Sequence, residues 1–254
     1  MHAQLAVKTI QDALRPAPPT CGQCPAYDLN LCRAASEAVW ASPNGTPLKI
    51  QQAEHSAPAR RTICREQDLH DTVPIICNGW AASIIMLSDG SRQILSFLLP
   101  GDIVSTALLF EPRPHCLLEA ITDVRYRTFR RTELREILFS NPELLDRLSR
   151  SWIEEKARDD QLIVDLGRRT ADERIARLIL GLVERLTKRE MVHGDPLEFE
   201  FPLRQHHIAD ATGLTPVHVS KVLSEFRRSG LIKISERSLT ILDPIGFRRI
   251  ANMR

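Results

Sequence analysis

Short apolar runs follow one another between about residues 60 and 130 and are separated by turn-forming dipeptides. The dipeptides include Asn78-Gly79, Asp89-Gly90 and Pro100-Gly101. Asp-Gly between two apolar runs is a strong hairpin signal, and glycine or proline at such intervals marks turns. The pattern therefore predicts a β-roll or sandwich of about eight short strands over residues 59–140. The candidate strands are Thr62–Cys64, Val73–Cys77, Ala81–Leu87, Gln93–Leu99, Cys116–Ala120 and Val124–Phe129.

The apolar period changes to that of a helix after residue 140. Leu144, Leu148 and Trp152 begin a series at helical spacing, which predicts one long helix over residues 141–167. Its ends are apolar and its middle is mostly charged. Glu155 lies in this middle part, and we expect it near the surface that would pair with a second copy of the helix. Such a helix has more apolar surface than one subunit covers, so we expect it to pair with a second copy. Packing entirely against its own domain is the alternative.

A further unit is predicted over residues 168–254. Thr170-Ala-Asp-Glu173 has the form of a capping box that opens another helix, and residues 197–201 alternate like a strand. Residues 204–232 then read as two short helices joined by a tight turn. Gly213 in the turn takes a positive φ without steric strain. Thr215 followed by Pro216 is a favourable start for the second helix.

The second helix has an apolar face and a polar, basic face, which is the arrangement of a DNA-binding helix-turn-helix. Residues 231–242 alternate around Glu236-Arg237 like a two-stranded wing. Between Arg204 and Arg237 there are six Lys or Arg and three Asp or Glu residues, so the basic excess is local. The predicted DNA-contacting residues are Thr215, Val217, His218, Ser220, Lys221, Arg204 and Arg227. His206 and His207 are also expected to face DNA or solvent.

Composition narrows the class of protein further. The chain has 254 residues and a net charge of only +2, with globular hydrophobic and charged contents. No apolar run reaches the length of a membrane span and no signal peptide is evident, so we expect a cytoplasmic protein. The sequence contains no P-loop, Rossmann glycine pattern or nucleophile elbow, which argues against an enzyme.

The N-terminal segment, residues 1–58, carries a cysteine cluster: Cys21, Cys24 and Cys32. Two thiolates two residues apart can hold one metal ion or cluster, and a third can close the site from a following loop. An iron–sulfur cluster, zinc, metal-free redox thiols and no sensing role all remain open. A redox enzyme that uses the Cys-x-x-Cys pair is disfavoured, because the pair precedes the fold rather than joining a strand to a helix. Residues 41–58 are rich in Ser, Pro, Gly and Ala and are expected to form a loop.

A β-roll, a long helix, a capped helix and a winged helix-turn-helix, in this order, resemble the Crp/Fnr family of bacterial transcription regulators. The resemblance covers about Arg60 to Ile241. It is carried by Asp89-Gly-Ser-Arg-Gln-Ile-Leu-Ser-Phe-Leu-Leu-Pro-Gly-Asp102, by Leu214-Thr-Pro-Val-His-Val-Ser-Lys221 and by Gly230-Leu-Ile232. It implies an α+β fold and a homodimer that binds palindromic double-stranded DNA and contacts RNA polymerase. The roll would sense a signal, and the long helix would transmit it.

Family members that bind cyclic nucleotides carry a Gly-Glu pair after the Pro-Gly-Asp turn, and later an Arg followed by a small hydroxyl residue. Residues 103–119 lack this pattern, and only Arg113 could pair with a phosphate. Because the charge-assisted clamp is missing, no cyclic nucleotide is expected.

Many relatives have Glu-x-x-Ser-Arg in the recognition helix, where this chain has Val217, Ser220 and Lys221. Valine can touch a thymine methyl group but cannot accept from cytosine, and lysine lacks the rigid fork of arginine. The DNA sequence that is read should therefore differ from that of those relatives. Alternatively, Val217 is a partly buried residue at the start of the helix.

The cysteines resemble those of the oxygen-sensing Fnr type, in which three N-terminal cysteines and one from the roll hold an iron–sulfur cluster. This implies a [4Fe-4S] cluster, with zinc as the less favoured metal. The family's fourth position falls near Arg127, so Cys116 is the nearest cysteine candidate, and His115 is an alternative. Cys64 and Cys77 are expected to be core thiols. A regulator without a metal cluster, which senses another small effector or acts constitutively, is the alternative function.

Overall fold

The computed structural model describes residues 40–41, 47–48, 52–65 and 68–252. Two short strands, β1 (Trp40–Ala41) and β2 (Pro47–Leu48), pair with each other. The β-roll contains seven further strands and a 3-10 helix, Thr106–Leu109. The strands are β3 (Gln52–Ala57), β4 (Thr62–Cys64), β5 (Thr72–Asn78), β6 (Ala81–Met86), β7 (Arg92–Leu98), β8 (Leu117–Ala120) and β9 (Val124–Arg130). They form two antiparallel sheets, ordered β3-β9-β5 and β4-β8-β6-β7.

The hairpin between β6 and β7 forms at the predicted Asp89-Gly90 turn. Gly90 has a φ of 84°. The Leu87 N–H donates to the Ser91 carbonyl at 2.9 Å, and the Asp89 carboxylate accepts from the Ser91 N–H at 2.8 Å. A side chain that accepts from the backbone two residues on stabilises such turns, so the local sequence is sufficient to form this one.

The prediction that residues 41–58 form a loop is wrong for β3. This strand pairs along its whole length with β9, from Gln52 opposite Phe129 to Ala57 opposite Val124. Five of its six residues are exposed, so the strand has no apolar alternation for sequence analysis to detect. Backbone hydrogen bonds to β9 hold it in the sheet, and the roll therefore includes residues assigned above to the N-terminal segment.

Three helices follow the roll: α1 (Arg131–Ser140), α2 (Pro142–Arg168) and α3 (Ala171–Thr187). The long helix α2 has nearly the predicted bounds, and the Asn141 side chain caps it by accepting from the Leu144 N–H at 3.0 Å. The capping box of α3 is also confirmed, because the Glu173 carboxylate accepts from the Thr170 N–H at 2.8 Å. Each cap satisfies a backbone N–H that the first helical turn leaves without a partner.

Glu155 does not lie on the exposed face of α2, in contrast to the prediction. Its carboxylate accepts a hydrogen bond from the Thr106 hydroxyl of the roll at 3.0 Å. Burial raises its pKa, and the Thr106 hydrogen bond acts in the opposite direction. Sequence spacing alone placed Glu155 near the surface predicted to pair with a second copy. Its contact with the 3-10 helix shows that this side of α2 faces the roll instead.

The C-terminal domain contains strands, two helix-turn-helix helices and a last helix. They are β10 (Val192–His193), β11 (Leu197–Glu200), α4 (Gln205–Thr212), α5 (Pro216–Arg228), β12 (Ile232–Ser235), β13 (Ser238–Ile241) and α6 (Pro244–Ile250). The strands form one antiparallel sheet, ordered β10-β11-β13-β12. Trp80 and Phe97 of the roll belong to the same buried cluster as Ile175 of α3 and Phe226 of α5. The two domains therefore share an apolar core.

Candidate nucleic-acid interface

Helices α4 and α5 meet at the predicted tight turn. Gly213 has a φ of 64° and ends α4 in the left-handed conformation. A Cβ at this position would also lie 3.3 Å from Leu166 Cδ2 at the end of α2. Glycine is therefore favoured here both by the backbone conformation and by close packing.

The apolar residues of the two helices face inward, as the predicted apolar face of the second helix requires. Ile208 and Ala209 of α4 are buried. The buried residues of α5 are Val219, Val222, Leu223 and Phe226. Thr215 caps α5 because its hydroxyl oxygen accepts from the His218 N–H at 3.2 Å, and Pro216 occupies the first turn. The N-terminal half of α5 is thus anchored while its other face is open to solvent.

The exposed face of α5 presents Val217, His218 and Lys221 to solvent, and Ser220 is half-buried. Val217 is 80% exposed, so the alternative of a partly buried residue at the start of the helix is wrong. An apolar side chain this exposed on a helix start is available to contact a thymine methyl group in a major groove. Lys221 provides an ammonium group one helical turn further along.

Two flanking arginines lie at the ends of this surface. Arg204, just before α4, is exposed. Arg227, in the last turn of α5, is also exposed, and its guanidinium donates to the Ser224 hydroxyl at 3.0 Å. Exposed cations beside a recognition helix are suited to phosphate contacts, which position a protein without reading sequence.

His207 differs from the prediction that it faces DNA or solvent. It is only 7% exposed, and its Nδ1 accepts from the Arg204 N–H at 3.1 Å, so it caps the start of α4. Burial lowers the pKa of His207 to about 4, with His206 and nearby arginines as further causes. The buried imidazole is therefore a neutral structural group. His206 beside it is exposed, as expected.

The predicted wing is formed by β12, β13 and the turn between them, in which Glu236 has a φ of 49°. Arg237 in this turn donates to the Glu200 carboxylate of β11 at 2.9 Å. The wing is thereby joined to the strand that precedes the helix-turn-helix.

Sequence analysis missed an ionic contact that holds the roll against the C-terminal domain. The Asp102 carboxylate, in the Pro-Gly-Asp turn after β7, forms ion pairs with Arg185 of α3 and with Arg189 just beyond it. Arg185 also donates to the Phe97 carbonyl at 2.7 Å, and Arg189 to the Pro100 carbonyl at 2.8 Å. The available signal was the spacing of the two arginines, four residues apart.

The described cysteines lie in the roll. Cys64 is buried, and burial raises its pKa to about 12, with Cys116 as a second cause. Cys77 is half-buried. Cys116 is buried, and the Ser83 hydroxyl donates to its sulfur at 2.9 Å. Cys21, Cys24 and Cys32 lie outside the described residues. Within the described part of the chain, no group of three or more Cys, His, Asp or Glu side chains could hold a metal ion.

The fold and this surface define a two-domain DNA-binding regulator, in which a β-roll is joined through a long helix to a winged helix-turn-helix. None of the helices that the structure describes is long and apolar enough to cross a membrane. Two family models match the corresponding parts of the chain. They are the cyclic nucleotide-binding domain over residues 54–141 and the Crp-like helix-turn-helix domain over residues 173–250.

The nitrogen fixation regulation protein FixK of Bradyrhizobium diazoefficiens is 31% identical over 190 residues, which are 75% of this chain and 78% of that protein. The transcriptional activator protein FnrL of Cereibacter sphaeroides is 28% identical over 227 residues, 87% of each chain. The structure of FixK2 from Bradyrhizobium japonicum superposes with a TM-score of 0.68 at 26% identity and covers 80% of this chain and 97% of that one. The chain therefore belongs to the Crp/Fnr family of transcription regulators. These relatives are regulators rather than enzymes, in agreement with the prediction from the sequence.

Proposed function

We propose that the protein is a homodimeric, oxygen- or redox-responsive regulator that binds palindromic DNA through α5 of both copies. The observation that carries the DNA-binding part is the anchored helix α5, whose outer face presents Val217, His218 and Lys221. A twofold dimer would place two such helices in successive major grooves, and the half-sites would then form a palindrome. Contact with RNA polymerase is part of the proposal by similarity to the family. The proposal includes no cyclic nucleotide, since Arg113 is exposed in a turn.

The dimer is supported by an exposed apolar stripe along α2, in which Trp152 stacks on Phe110 of the roll with ring centroids 6.1 Å apart. Trp152 is 53% exposed and Ile163 is 68% exposed, and Leu145, Ile153 and Val164 are exposed near them. A stripe of this kind along a 27-residue helix is typical of a two-helix seam. Lys156 and Asp160 form an ion pair on the same face, between the two apolar ends. Charges there would weaken the seam and make the dimer sensitive to a signal.

The sensing part rests on three cysteines, Cys21, Cys24 and Cys32, whose spacing suits an iron–sulfur cluster. Such a cluster, when bound, would supply reactivity toward oxygen. Two candidate fourth ligands are adjacent in the roll. The imidazole of His115 is exposed and lies 3.6 Å from Glu111. Cys116 is buried, and its sulfur accepts from the Ser83 hydroxyl, a hydrogen bond that a cluster-bound thiolate could keep. Because Cys21, Cys24 and Cys32 would share the cluster with a ligand from the roll, they would hold the N-terminal segment against the roll and the start of α2.

The test is anaerobic purification with analysis of iron, sulfide and zinc. We expect iron and sulfide in the wild-type protein, and visible absorbance that bleaches in air. Cys24→Ser should abolish both the absorbance and the oxygen response of DNA binding, while the C-terminal domain stays folded. Stoichiometric zinc without colour would instead support the zinc alternative, and unaltered regulation in Cys24→Ser would overturn the sensing proposal.

The fourth ligand is tested separately with Cys116→Ser and His115→Ala. If Cys116 is a ligand, the Ser variant should lose cluster content or become unusually air-sensitive, and the His115 variant should match the wild type. The reverse result would assign His115. Normal clusters in both variants would mean that neither residue is a ligand.

A further inference from the structure

We propose that an apolar pocket between the roll, α2 and α3 binds a small organic acid. The pocket has a volume of about 170 Å³. Its apolar walls come from three elements and include Ile94 and Phe97 of β7, Leu162 and Leu166 of α2, and Leu178 and Leu182 of α3. An apolar cavity of about 150 Å³ is large enough to hold benzene. The pocket therefore fits an apolar body about as large as a phenyl ring.

Space for this pocket depends on a glycine within a helix. Gly181 lies in the middle of α3 and lines the pocket, and no side chain or neighbouring element lies within 4 Å of the position of a Cβ. Glycine inside a helix destabilises it by about 1 kcal/mol relative to alanine. Gly181 thus lowers the stability of α3 but leaves open space beside the helix, as expected where a ligand occupies that space.

The charge around the pocket selects an anion. Four arginines line it, namely Arg158, Arg174, Arg177 and Arg185, against one carboxylate, Asp165. Three of the arginines are engaged. Arg177 donates to Asp165 at 2.7 Å, Arg174 to the Thr212 carbonyl at 3.2 Å, and Arg185 to the Phe97 carbonyl and Asp102. The fourth, Arg158, is held more loosely, by an ion pair with Glu154 that spans 3.8 Å, so a ligand would bring its negative charge there.

Arg158 is the cation best placed to receive that charge. Its side chain is 43% exposed, and the ion pair that it forms with Glu154 spans 3.8 Å, at the long end of the range for such pairs. Burial lowers the pKa of Arg158 and neighbouring Arg185 lowers it further, whereas Asp102, Glu155 and Glu154 act in the opposite direction. A partly desolvated guanidinium with a long ion pair gains from an added carboxylate, which it can bind with two parallel hydrogen bonds.

The pocket is separate from the expected dimer seam. Its residues on α2, Arg158, Leu162 and Asp165, lie on the side of the helix that faces the roll and α3, whereas the exposed apolar stripe includes Trp152 and Ile163. Ala211 and Thr212, at the end of α4, also line the pocket. Because a bound acid would touch the helix-turn-helix, its binding and DNA binding would be thermodynamically linked.

The test uses phenylacetate as the probe and measures its binding to the full-length protein by calorimetry and ligand-observed NMR. We expect saturable binding to the wild-type protein at millimolar or lower concentration. Gly181→Leu fills the pocket and should weaken binding by about tenfold or more. Gly181→Ala is the matched control, since it raises helix propensity but leaves most of the pocket open. Wild-type affinity in Gly181→Leu, or no saturable binding to the wild-type protein, would overturn the proposal.

A second variant avoids any effect of Gly181→Leu on the folding of α3. Arg158→Gln removes an exposed charge and should weaken binding of phenylacetate while uncharged toluene binds as before. Arg147→Gln is its control, because Arg147 lies on the same helix, is also paired with a glutamate four residues earlier, and is remote from the pocket. Equal binding of phenylacetate to the Arg158 and Arg147 variants would remove Arg158 from the site and refute the proposed anion.

Discussion

Lys221 and Arg227 are both exposed on α5, one in its first half and one in its last turn. In helix-turn-helix proteins the first half of the recognition helix contacts base edges, and flanking cations contact phosphates. We therefore expect different effects from removing each side chain. Lys221→Ala should weaken binding to the specific site by about 1–3 kcal/mol and relax the choice of one base.

Arg227→Ala should weaken binding to all DNA sequences to a similar extent and reduce the slope of log K against log salt concentration by about 1. Titration of specific and random duplexes at several salt concentrations measures both effects. If the two variants lose specific and random binding in the same proportion, the assignment of Lys221 to a base edge is wrong.

His207 shows where residue-level reasoning from the sequence fails. A histidine beside a recognition motif suggested a solvated or phosphate-contacting group, but burial and the hydrogen bond from the Arg204 N–H make it part of the helix cap. Sequence spacing did not reveal this role, because the burial of His207 depends on how the roll packs against α4. The cap by Thr215 and the turn at Gly213 are as local as the hydrogen bond of His207, but they are signalled by residue type alone and were predicted correctly.

The lowered pKa of His207 gives a prediction for stability. The group takes up a proton near pH 6.5 when unfolded but only near pH 4 when folded. As the pH falls from 6.5 toward 4, the unfolded state gains the proton first, so this group lowers the free energy of unfolding by about 1.4 kcal/mol per pH unit. His207→Gln keeps an acceptor for the Arg204 N–H and should flatten this dependence. Urea denaturation at several pH values in this range tests it, and parallel curves for the two proteins would contradict it.

At the scale of elements, local sequence predicted those parts of the fold that carry their own signals. The capped helices α2 and α3, the β6–β7 hairpin and the wing have caps, turn residues or apolar periodicity. Strand β3 has none of these, because it is exposed and is held through its backbone to a strand about 70 residues later. The sequence also did not predict that the side of α2 carrying Glu155 packs against the roll, because the contact between Thr106 and Glu155 joins two segments that are distant in sequence.

Because Glu155 contacts the roll, the dimer seam is better tested at Lys156. Lys156 pairs with Asp160 on the exposed apolar face, so a seam there would have to desolvate both charges. Replacing both charges, with Lys156→Leu and Asp160→Leu in one variant, should strengthen dimerisation about tenfold, or about 1.4 kcal/mol, as measured by sedimentation equilibrium. The double change Glu143→Leu and Arg147→Leu is the matched control, since this pair is also four residues apart on the same helix but, at about 100° per residue, points away from the stripe. Equal effects of the two changes would count against a seam at Lys156.

At the scale of the whole molecule, the roll and the C-terminal domain are joined by an apolar core and by polar contacts around it. Arg92 of β7 lies 3.7 Å from Asp210 of α4 and also pairs with Glu119 of β8. On the other side, Asp102 pairs with Arg185 and Arg189. Asp102 stands in the loop that also carries Thr106, the partner of Glu155 in α2. One loop of the roll therefore contacts both the long helix and the DNA-binding domain.

This arrangement predicts that Asp102 couples the stability of the two domains. Its side chain is 17% exposed, so Asp102→Asn would leave two largely buried arginines without their shared carboxylate. Loss of one partner from a buried ion pair destabilises a protein by about 3–5 kcal/mol. Because the domains share an apolar core, we expect one unfolding transition in the wild type by calorimetry. Because the lost contact lies between domains, Asp102→Asn should show two transitions, with the roll and the C-terminal domain unfolding independently.

The matched control is Asp71→Asn, which removes an exposed carboxylate that lies 3.9 Å from Arg131 within the N-terminal part of the fold. Exposed pairs contribute about 0–1 kcal/mol, so this variant should unfold as the wild type does. DNA affinity of the Asp102 variant is a second readout, since a C-terminal domain released from the roll samples more orientations and pays more entropy to bind a palindrome as a dimer. If Asp102→Asn unfolds in one transition at the wild-type temperature, the ionic contact does not hold the domains together, and the shared apolar core alone must do so.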